Sequence, residues 1–341
     1  MLDESGAVAY ANAKLDPILG LDHQSLAGRA IAEIGAGADL AAFLERCKAH
    51  PGHAFRGETL ELSPPAQPDR RIVASAYPLF SPRDPVAVLG VLVVFRDVTA
   101  ESLARRAGAE FVSHVSHELK SPLNVLRMYS ELLLDGSQES EATRLEAVNV
   151  IHDETERMAG LINNLLNIAR LETGTVTLNR QRVRLRDLLE DIFAEVSRNA
   201  TGKDVRCELD LAPELGSALI DKDLFRIAVV NLLGNAIKYN RKGGTVALSA
   251  EETDTQVLVR VRDTGIGIAP EDQPKVFEKF FRAANASAKQ AGGHGLGLFL
   301  ARQITELHQG SITVSSEPGK GSEFCMQIRK VPAMLQEAVR I

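Results

Sequence analysis

The stretch Phe111 to Leu126, FVSHVSHELKSPLNVL, sets a histidine, a carboxylate and a hydroxyl close together. Apolar residues recur at Phe111, Val115, Leu119, Leu123 and Leu126, in the steps of three and four that mark one face of a helix. At ~100° per residue, His117 is turned roughly 200° from Val115 and from Leu119, so it faces away from that stripe. Glu118 follows it directly, and Pro122 comes five residues after it. A proline inside a helix donates no N–H and crowds the carbonyl four residues back, here that of Glu118. The expectation is a helix kinked or loosened beside an exposed imidazole with a carboxylate next to it. Alone, the stretch leaves three readings open. One is an ordinary surface histidine; another is a metal site, with His114, His117 and Glu118 on one face at i, i+3 and i+4. The third is a nucleophilic imidazole with an acidic partner. Coordination would not need Pro122.

A second group of polar residues lies on DLFRIAVVNLLGNAIKYN, a helix expected over Asp223 to Tyr239. Asn231, Asn235, Lys238 and Tyr239 fall at i, i+4, i+7 and i+8, on one face, while Val229 and Leu233 point the other way. Carboxamide oxygens can coordinate Mg²⁺, which keeps few protein ligands and shares phosphates. An ammonium such as that of Lys238 can meet a phosphate as a point charge. The bland alternative is a solvated polar face. Downstream, Asp263-Thr264-Gly265-Ile266-Gly267 closes a strand expected over Gln256 to Asp263. A carboxylate there can accept from an exocyclic amine, and glycines let a base approach the backbone. Phe277 to Arg282, FEKFFR, is an aromatic cluster closed by a cation. Gly292-Gly293-His294-Gly295-Leu296-Gly297 opens a helix expected to run to His308, a place where backbone N–H groups bind anions. It is neither a P-loop nor a dinucleotide fingerprint, since no Gly-Lys-Ser/Thr closes it and no strand leads into it. The polar, small-residue-rich run from Ala269 to Gly293 has the composition of a mobile lid, and Gly319 to Phe324 turns into a last strand.

These residues need elements to hold them. The chain has 341 residues, 45% of them apolar and 25% charged, enough for two or three packed domains. A net charge of −6 argues against a broad nucleic-acid surface. Three scattered cysteines, Cys47, Cys207 and Cys325, form no CxxC and fit a reducing compartment. The longest apolar run, Val86 to Phe95, falls short of the ~18 residues of a membrane span. The expected location is cytoplasmic, with an anchor upstream of Met1 in a longer protein left open. Residues 1–98 have the pattern of a small α+β domain. A turn at Glu4-Ser5-Gly6 leads to a short strand, brief helices are broken by Gly20 and Gly28, and strands run over Arg71 to Phe80 and Val86 to Phe95. Thr99 to Leu134 is one long helix, stopped at Asp135-Gly136. In a second, Glu141 to Leu171, the residues Val148, Ile151, Thr155, Met158, Ile162, Leu165 and Ala169 form an a/d seam broadened by Leu161, Leu166 and Ile168. The short loop makes the two helices antiparallel neighbours, and a symmetric dimer making a four-helix bundle would bury their apolar faces. Residues 175–331 alternate strands (Lys203 to Leu211, Thr245 to Glu251, Gln256 to Asp263) and helices (Leu185 to Arg198, Asp223 to Tyr239, Leu296 to His308), the pattern of an α/β sandwich.

Taken in order, SHELKSPL, NLLGNAIKY, DTGIG, FEKFF, GHGLGL and GKGSEF closely resemble the sensor histidine kinases of two-component systems over about residues 100–331. DESG, YAN and the closing FRDVT loosely resemble a PAS sensor domain that lacks most of its first strand. The resemblance implies a multidomain chain: a PAS-like domain over 1–98, a signalling helix and dimerising phosphoacceptor hairpin over 99–174, a catalytic ATP-binding domain over 175–331 with the α/β sandwich of gyrase and heat-shock-chaperone ATPases, and a tail over 332–341. It also implies that His117 is phosphorylated and passes the phosphoryl group to a response-regulator receiver domain. By the same resemblance Asn231 and Asn235 hold Mg²⁺ and phosphates, and Lys238 and Tyr239 line the ATP. Asp263 reads adenine, with Gly265 and Gly267 as its loop, and Gly293, Gly295 and Gly297 are the lid glycines. Glu118 orients His117 and accepts its proton, and Ser121 positions a water for the reverse dephosphorylation. Lys120 stands where arginine is common, Ser121 where threonine or asparagine is, and Ser322 where threonine is. Pivots are expected at Pro122 and near Thr173-Gly174. No His or Cys marks a haem or flavin at the PAS-like domain, so its signal stays open. A plain ATPase on the same nucleotide fold and a regulator that has lost catalysis are the other classes. SHELKSPL on a dimerising hairpin speaks against the first, and the intact motif set against the second.

Overall fold

The alternation of apolar residues in Ile72–Phe80 makes Ile72, Ala74 and Ala76 one buried face of a strand. It is β3 of a four-stranded antiparallel sheet with the order β1-β4-β3-β2, where β1 is Leu2–Asp3, β2 is Thr59–Leu62 and β4 is Val88–Asp97. The computed structural model describes residues 1–31, 37–49, 59–64, 67–84, 87–135, 140–173, 177–200, 204–283 and 293–330. The expected features at Gly136, Gly174, Gly292 and the 332–341 tail lie outside them. By its contacts the chain forms two compact units, Met1–Ser116 and His117–Ile341, divided within one helix.

In the first unit α1 (Leu15–Leu19) ends at Gly20, which takes φ 70°, and a short 3₁₀ turn follows over His23–Leu26, as expected from the glycine breaks. Leu40, Phe43 and Leu44 of α2 (Gly37–Ala49) join the buried sheet face in one apolar cluster. No pattern in the sequence marks α2 or β2, and β1 precedes the Glu4-Ser5-Gly6 turn where a strand is expected after it. Asp3 Oδ1 accepts from the backbone N–H of Ser5 and Ala7, which folds the turn back on the strand, and residues beyond it form only the isolated bridges Leu2↔Val8 and Ala7↔Ala30. At the other end the β4 strand passes into the long helix α3, Thr99–Leu134, with the bounds expected from its sequence. Asp97 Oδ1 accepts from the Thr99 N–H and hydroxyl, and the Arg71 N–H donates to Thr99 Oγ1, so the first turn of α3 is fastened to β3 and β4. Those hydroxyl and backbone donors hold the Asp97 carboxyl below its ordinary value.

In the second unit α3 runs on through Pro122, the buried residue of the helix. The helix α4 covers Glu141–Glu172, one residue beyond the expected end. The single chain buries the broadening positions Leu161 and Ile168 of the expected seam rather than its a/d positions. Ala147, Leu161 and Ile168 are buried, while Val148 is 51% and Ile162 44% exposed. The physical reason is that the base of α4 serves the sandwich: α7 (Gly297–Leu307) packs against it, and Leu161 and Ile168 belong to the core of the nucleotide-type fold.

That fold is a five-stranded sheet, β10-β11-β9-β8-β6, antiparallel except for the parallel β6–β8 pair. The strands are β6 Arg206–Leu211, β8 Thr245–Glu252, β9 Gln256–Asp263, β10 Ser311–Glu317 and β11 Gly321–Arg329. Val246 and Leu248 of β8, Val257, Val259 and Val261 of β9, and Phe324, Met326 and Ile328 of β11 alternate onto a buried face. Helices α5 (Leu185–Ala200), α6 (Lys222–Lys238) and α7 contribute Leu188, Ile192, Val229, Leu233, Leu300 and Ile304 to the same core. A separate ribbon pairs β5 (Gln181–Arg184) with β7 (Ser217–Ile220). At the C-terminus of α7, His308 is buried and accepts from the Asp221 N–H at Nε2 while its Nδ1–H donates to the Ile304 carbonyl. Both partners fit a neutral ring, and burial holds its pKa below the ordinary histidine value.

Candidate active site

The helix α6 starts at Asp221, whose carboxylate caps the Leu224 N–H. From there the helical period sorts the side chains. Val229 and Leu233 are 0% and 1% exposed in the core, while Asn231, Asn235, Lys238 and Tyr239 lie half-buried on the other face, as the spacing predicts. The Asn231 amide N–H donates to the Ile227 carbonyl, which leaves its Oδ1 to act as a donor atom for a ligand.

The end of β9 meets the end of α6. The Ile266 N–H donates to the Tyr239 carbonyl, and a Cβ on Gly265 would sit 2.3 Å from that same oxygen, so only glycine permits the approach. Asp263 is 7% exposed. Its Oδ1 accepts from the backbone N–H of Gly265 at 2.8 Å and of Ser322 at 3.3 Å. Both bonds fall on one oxygen, which leaves Oδ2 for a donor from outside the protein. Burial raises the Asp263 carboxyl above its ordinary value, and the two N–H groups oppose that. Asn235, Tyr239, Asp263 and Gly267 line a cavity whose remaining wall is largely apolar, including Ile268, Val276, Phe281, Leu298 and Phe324, with Arg282 and Ser322. An apolar slot with one carboxylate at its base suits a flat heterocycle carrying an amine.

The glycine-rich segment before α7 lies on the polar face of α6. Gly293 takes φ 101°, and a Cβ there would fall 1.9 Å from Lys238 Nζ. A Cβ on Gly297 would meet Asn231 Oδ1 and one on Gly295 would meet the Phe280 backbone, so these glycines lie against the α6 carboxamide and the FEKFFR run. Thus the structure brings together Asn231, Asn235, Lys238, Tyr239, Asp263, Gly265, Gly267, Gly293, Gly295 and Gly297.

On α3, His117 and Ser121 are exposed and Glu118 is half-buried. Among the described residues no hydrogen bond joins His117 to Glu118. Instead Glu118 Oε2 lies 2.6 Å from His294 Nδ1, with the two side chains 24% and 11% exposed. An ion pair joins Glu172, at the end of α4, to Lys279. In the sequence His294 stands out only as part of the glycine motif, and Lys279 only within an aromatic cluster. Ser322 and the apolar cavity wall were also missed, because a backbone N–H donor and a hydrophobic lining carry no side-chain signature of a site.

Three family models match the chain: "Histidine kinase-, DNA gyrase B-, and HSP90-like ATPase" over residues 220–332, "His Kinase A (phospho-acceptor) domain" over 108–174, and "PAS fold" over 1–103. The chain belongs to the sensor histidine kinases. It is 32% identical over 241 residues to Sensor protein SrrB of Staphylococcus aureus, covering 71% of this chain and 41% of that protein. The chain therefore spans about two fifths of the length of the curated relatives it matches. Among solved structures it is similar to histidine kinase ThkA in complex with response regulator protein TrrA, at 20% identity and TM-score 0.53, covering 97% of this chain and 95% of that one. It is also similar to Acinetobacter baumannii histidine kinase AdeS, at 22% identity and TM-score 0.51, covering 63% and 98%. These two share the fold. The expected sensor kinase architecture is thus met: a PAS domain, a phosphoacceptor hairpin and an ATP-binding domain. No helix among the described residues is long and apolar enough to cross a membrane.

Proposed function

We propose that this sensor histidine kinase chain is an active ATP-dependent protein-histidine kinase that phosphorylates its own His117 and passes the group to an aspartate of a response-regulator receiver domain. The observation that carries it is the Glu118–His294 contact, which brings the SHELKSPL helix within one side chain of the α6 face and its cavity. A nitrogen of the His117 ring attacks the γ-phosphorus in line. The N–P bond forms as the P–O bond to the ADP leaving group breaks, and Glu118 accepts the proton of the other ring nitrogen. Lys238 and the N–H groups of the Gly293–Gly297 segment meet the charge on the phosphates. Asp263 accepts the adenine amine on Oδ2, and Tyr239 lines the nucleotide. Asn235 Oδ1 and Asn231 Oδ1 suit a hard cation; Mg²⁺ bound there would neutralise phosphate charge. In the next step a receiver carboxylate attacks the phosphohistidine phosphorus and the imidazole leaves.

The domain limits we infer are 1–98, 99–174, 175–331 and a 332–341 tail, with the chain acting in the cytoplasm and no role in binding nucleic acid. Pro122 and Thr173-Gly174 are the proposed pivots for the catalytic domain. Leu123, Met128, Leu145, Val148, Ile162 and Leu166 are exposed on the hairpin of a single chain. They support a homodimer that covers them in a four-helix bundle. The input is a small molecule or protein acting at the PAS domain. Incubation with γ-³²P-ATP tests the reading. Acid-labile, alkali-stable label on the chain supports the kinase. ATP hydrolysis without label indicates a plain ATPase, and binding without either indicates a regulator.

Ser121 lies one helical turn from His117, on the same face. Its hydroxyl can donate and accept, but it lacks the β-methyl that restricts threonine's rotamers. Ser121→Ala is expected to lower receiver dephosphorylation and leave autophosphorylation nearly unchanged, and Ser121→Thr to raise it. The decay rate of the phosphorylated receiver in ADP measures both. If Ser121→Ala matched the parent, the water-positioning role would be wrong.

A further inference from the structure

His294 stands between two pieces of the machinery. Its Nδ1 is 2.6 Å from Glu118 Oε2, so the ring donates to the carboxylate. Its Nε2 is buried with no partner among the described residues, so the Glu118 contact is the polar interaction that holds the ring where it is. The neighbouring residue, Gly293, presses its backbone on Lys238, the cation of the nucleotide face. Consecutive residues of one segment therefore hold the carboxylate of the phosphoacceptor helix and cover the group that would meet phosphate. Neighbouring side chains on a helix point about 100° apart. A Glu118 carboxylate drawn to His294 is thus drawn off the side where His117 stands exposed. The Glu172–Lys279 pair ties the other helix of the hairpin to the FEKFFR run, so two carboxylates of the hairpin meet an imidazole and an ammonium of the ATP-binding fold.

We propose that His294 is a latch: it withholds Glu118 from His117 and keeps Gly293 on Lys238, so that phosphate binding at Lys238 and the release of Glu118 are one event. The proposal rests on the kinase reading for the role of Glu118, but its first consequence concerns binding alone. Phosphate that reaches Lys238 displaces Gly293 and, with it, the neighbouring His294, so the latch contact competes with nucleotide and the competition is reciprocal. Breaking the latch from either side must tighten nucleotide binding. Damage to the fold would not do that.

The experiment is calorimetry of ADP binding to the full chain with Mg²⁺, together with the initial rate of His117 labelling by γ-³²P-ATP. His294→Ala is expected to tighten ADP about fivefold, the low end of typical coupling between sites, and to raise the labelling rate. His294→Asn, which offers an N–H donor near the place of Nδ1, should stay near the parent in both. Glu118→Ala, a change on a helix surface, should tighten ADP by the same factor while abolishing label. The double variant should bind ADP no tighter than either single one, because both remove one contact. Unchanged or weaker ADP binding in both His294→Ala and Glu118→Ala would overturn the latch. Absence of label in the parent would overturn the kinase reading instead, and the ADP affinities would still decide the latch.

Discussion

His117→Gln is expected to reduce labelling by γ-³²P-ATP to background while nucleotide affinity stays at the parental value; His114→Gln is expected to leave labelling largely intact. The effect is total because the substituted group is the nucleophile. Glutamine keeps a polar side chain of similar reach, but its amide nitrogen has no free lone pair to form the N–P bond. The two histidines share a helix and a solvent-exposed position. They differ in their neighbours. His117 alone is followed by a carboxylate, and it alone has a proline five residues on that disturbs the hydrogen bonding of the Glu118 carbonyl. Nucleotide binding should not change, since the groups that line the cavity come from α6, β9, β11 and the segments beside them. Labelling that survived in His117→Gln and vanished in His114→Gln would move the phosphoacceptor one turn back along α3.

Long-period patterns make much of this architecture legible in the sequence. The apolar stripe of α3 predicts a helix over Thr99–Leu134, and the alternating valines predict a strand over Gln256–Asp263, with the bounds observed. The polar face of α6 was readable because four groups recur at helical spacing against a fully apolar opposite side. The strands β2, β5 and β7 have four residues each, too few for a period of two to stand out. The a/d positions of α4 stay unburied in the single chain for another reason. An a/d seam shows that a helix is amphipathic but does not name its partner. Leu161 and Ile168 are buried in the single chain because they join the core of the ATP-binding fold, where α7 also packs against α4. The Glu118–His294 pair joins residues 176 apart in sequence, and no local pattern could announce it. The same holds for the Ser322 N–H on Asp263, since a backbone donor leaves no mark on side-chain identity.

That second contact sharpens the largest expected effect on binding. Asp263→Ala should weaken ATP binding about 10- to 150-fold, the loss of one hydrogen bond to a charged group at roughly 1.5–3 kcal/mol. The alanine variant also removes the acceptor that holds Gly265 and Ser322, so a structural effect would mix with the chemical one. Asp263→Asn separates them. Asparagine can keep its carbonyl oxygen on the two backbone N–H groups and place an NH₂ where Oδ2 stood. A donor would then face the donor amine of adenine, and ATP binding should fall about as far as in the alanine variant. A purine with a carbonyl in place of that amine has an acceptor there, so ITP should bind the asparagine variant more tightly than ATP does, reversing the parental order. The parent itself should lose ATP on acidification. The Asp263 carboxyl is raised by burial, and its proton, added as pH falls through that raised value, turns the accepting oxygen into a donor. The loss should therefore set in at a pH above the ordinary carboxylate value of 3.8 and be absent from the asparagine variant, which has nothing to titrate there. Calorimetry with ATP and ITP across pH measures all of this. If Asp263→Asn kept the parental preference for ATP, the carboxylate would not be the group that reads the adenine amine.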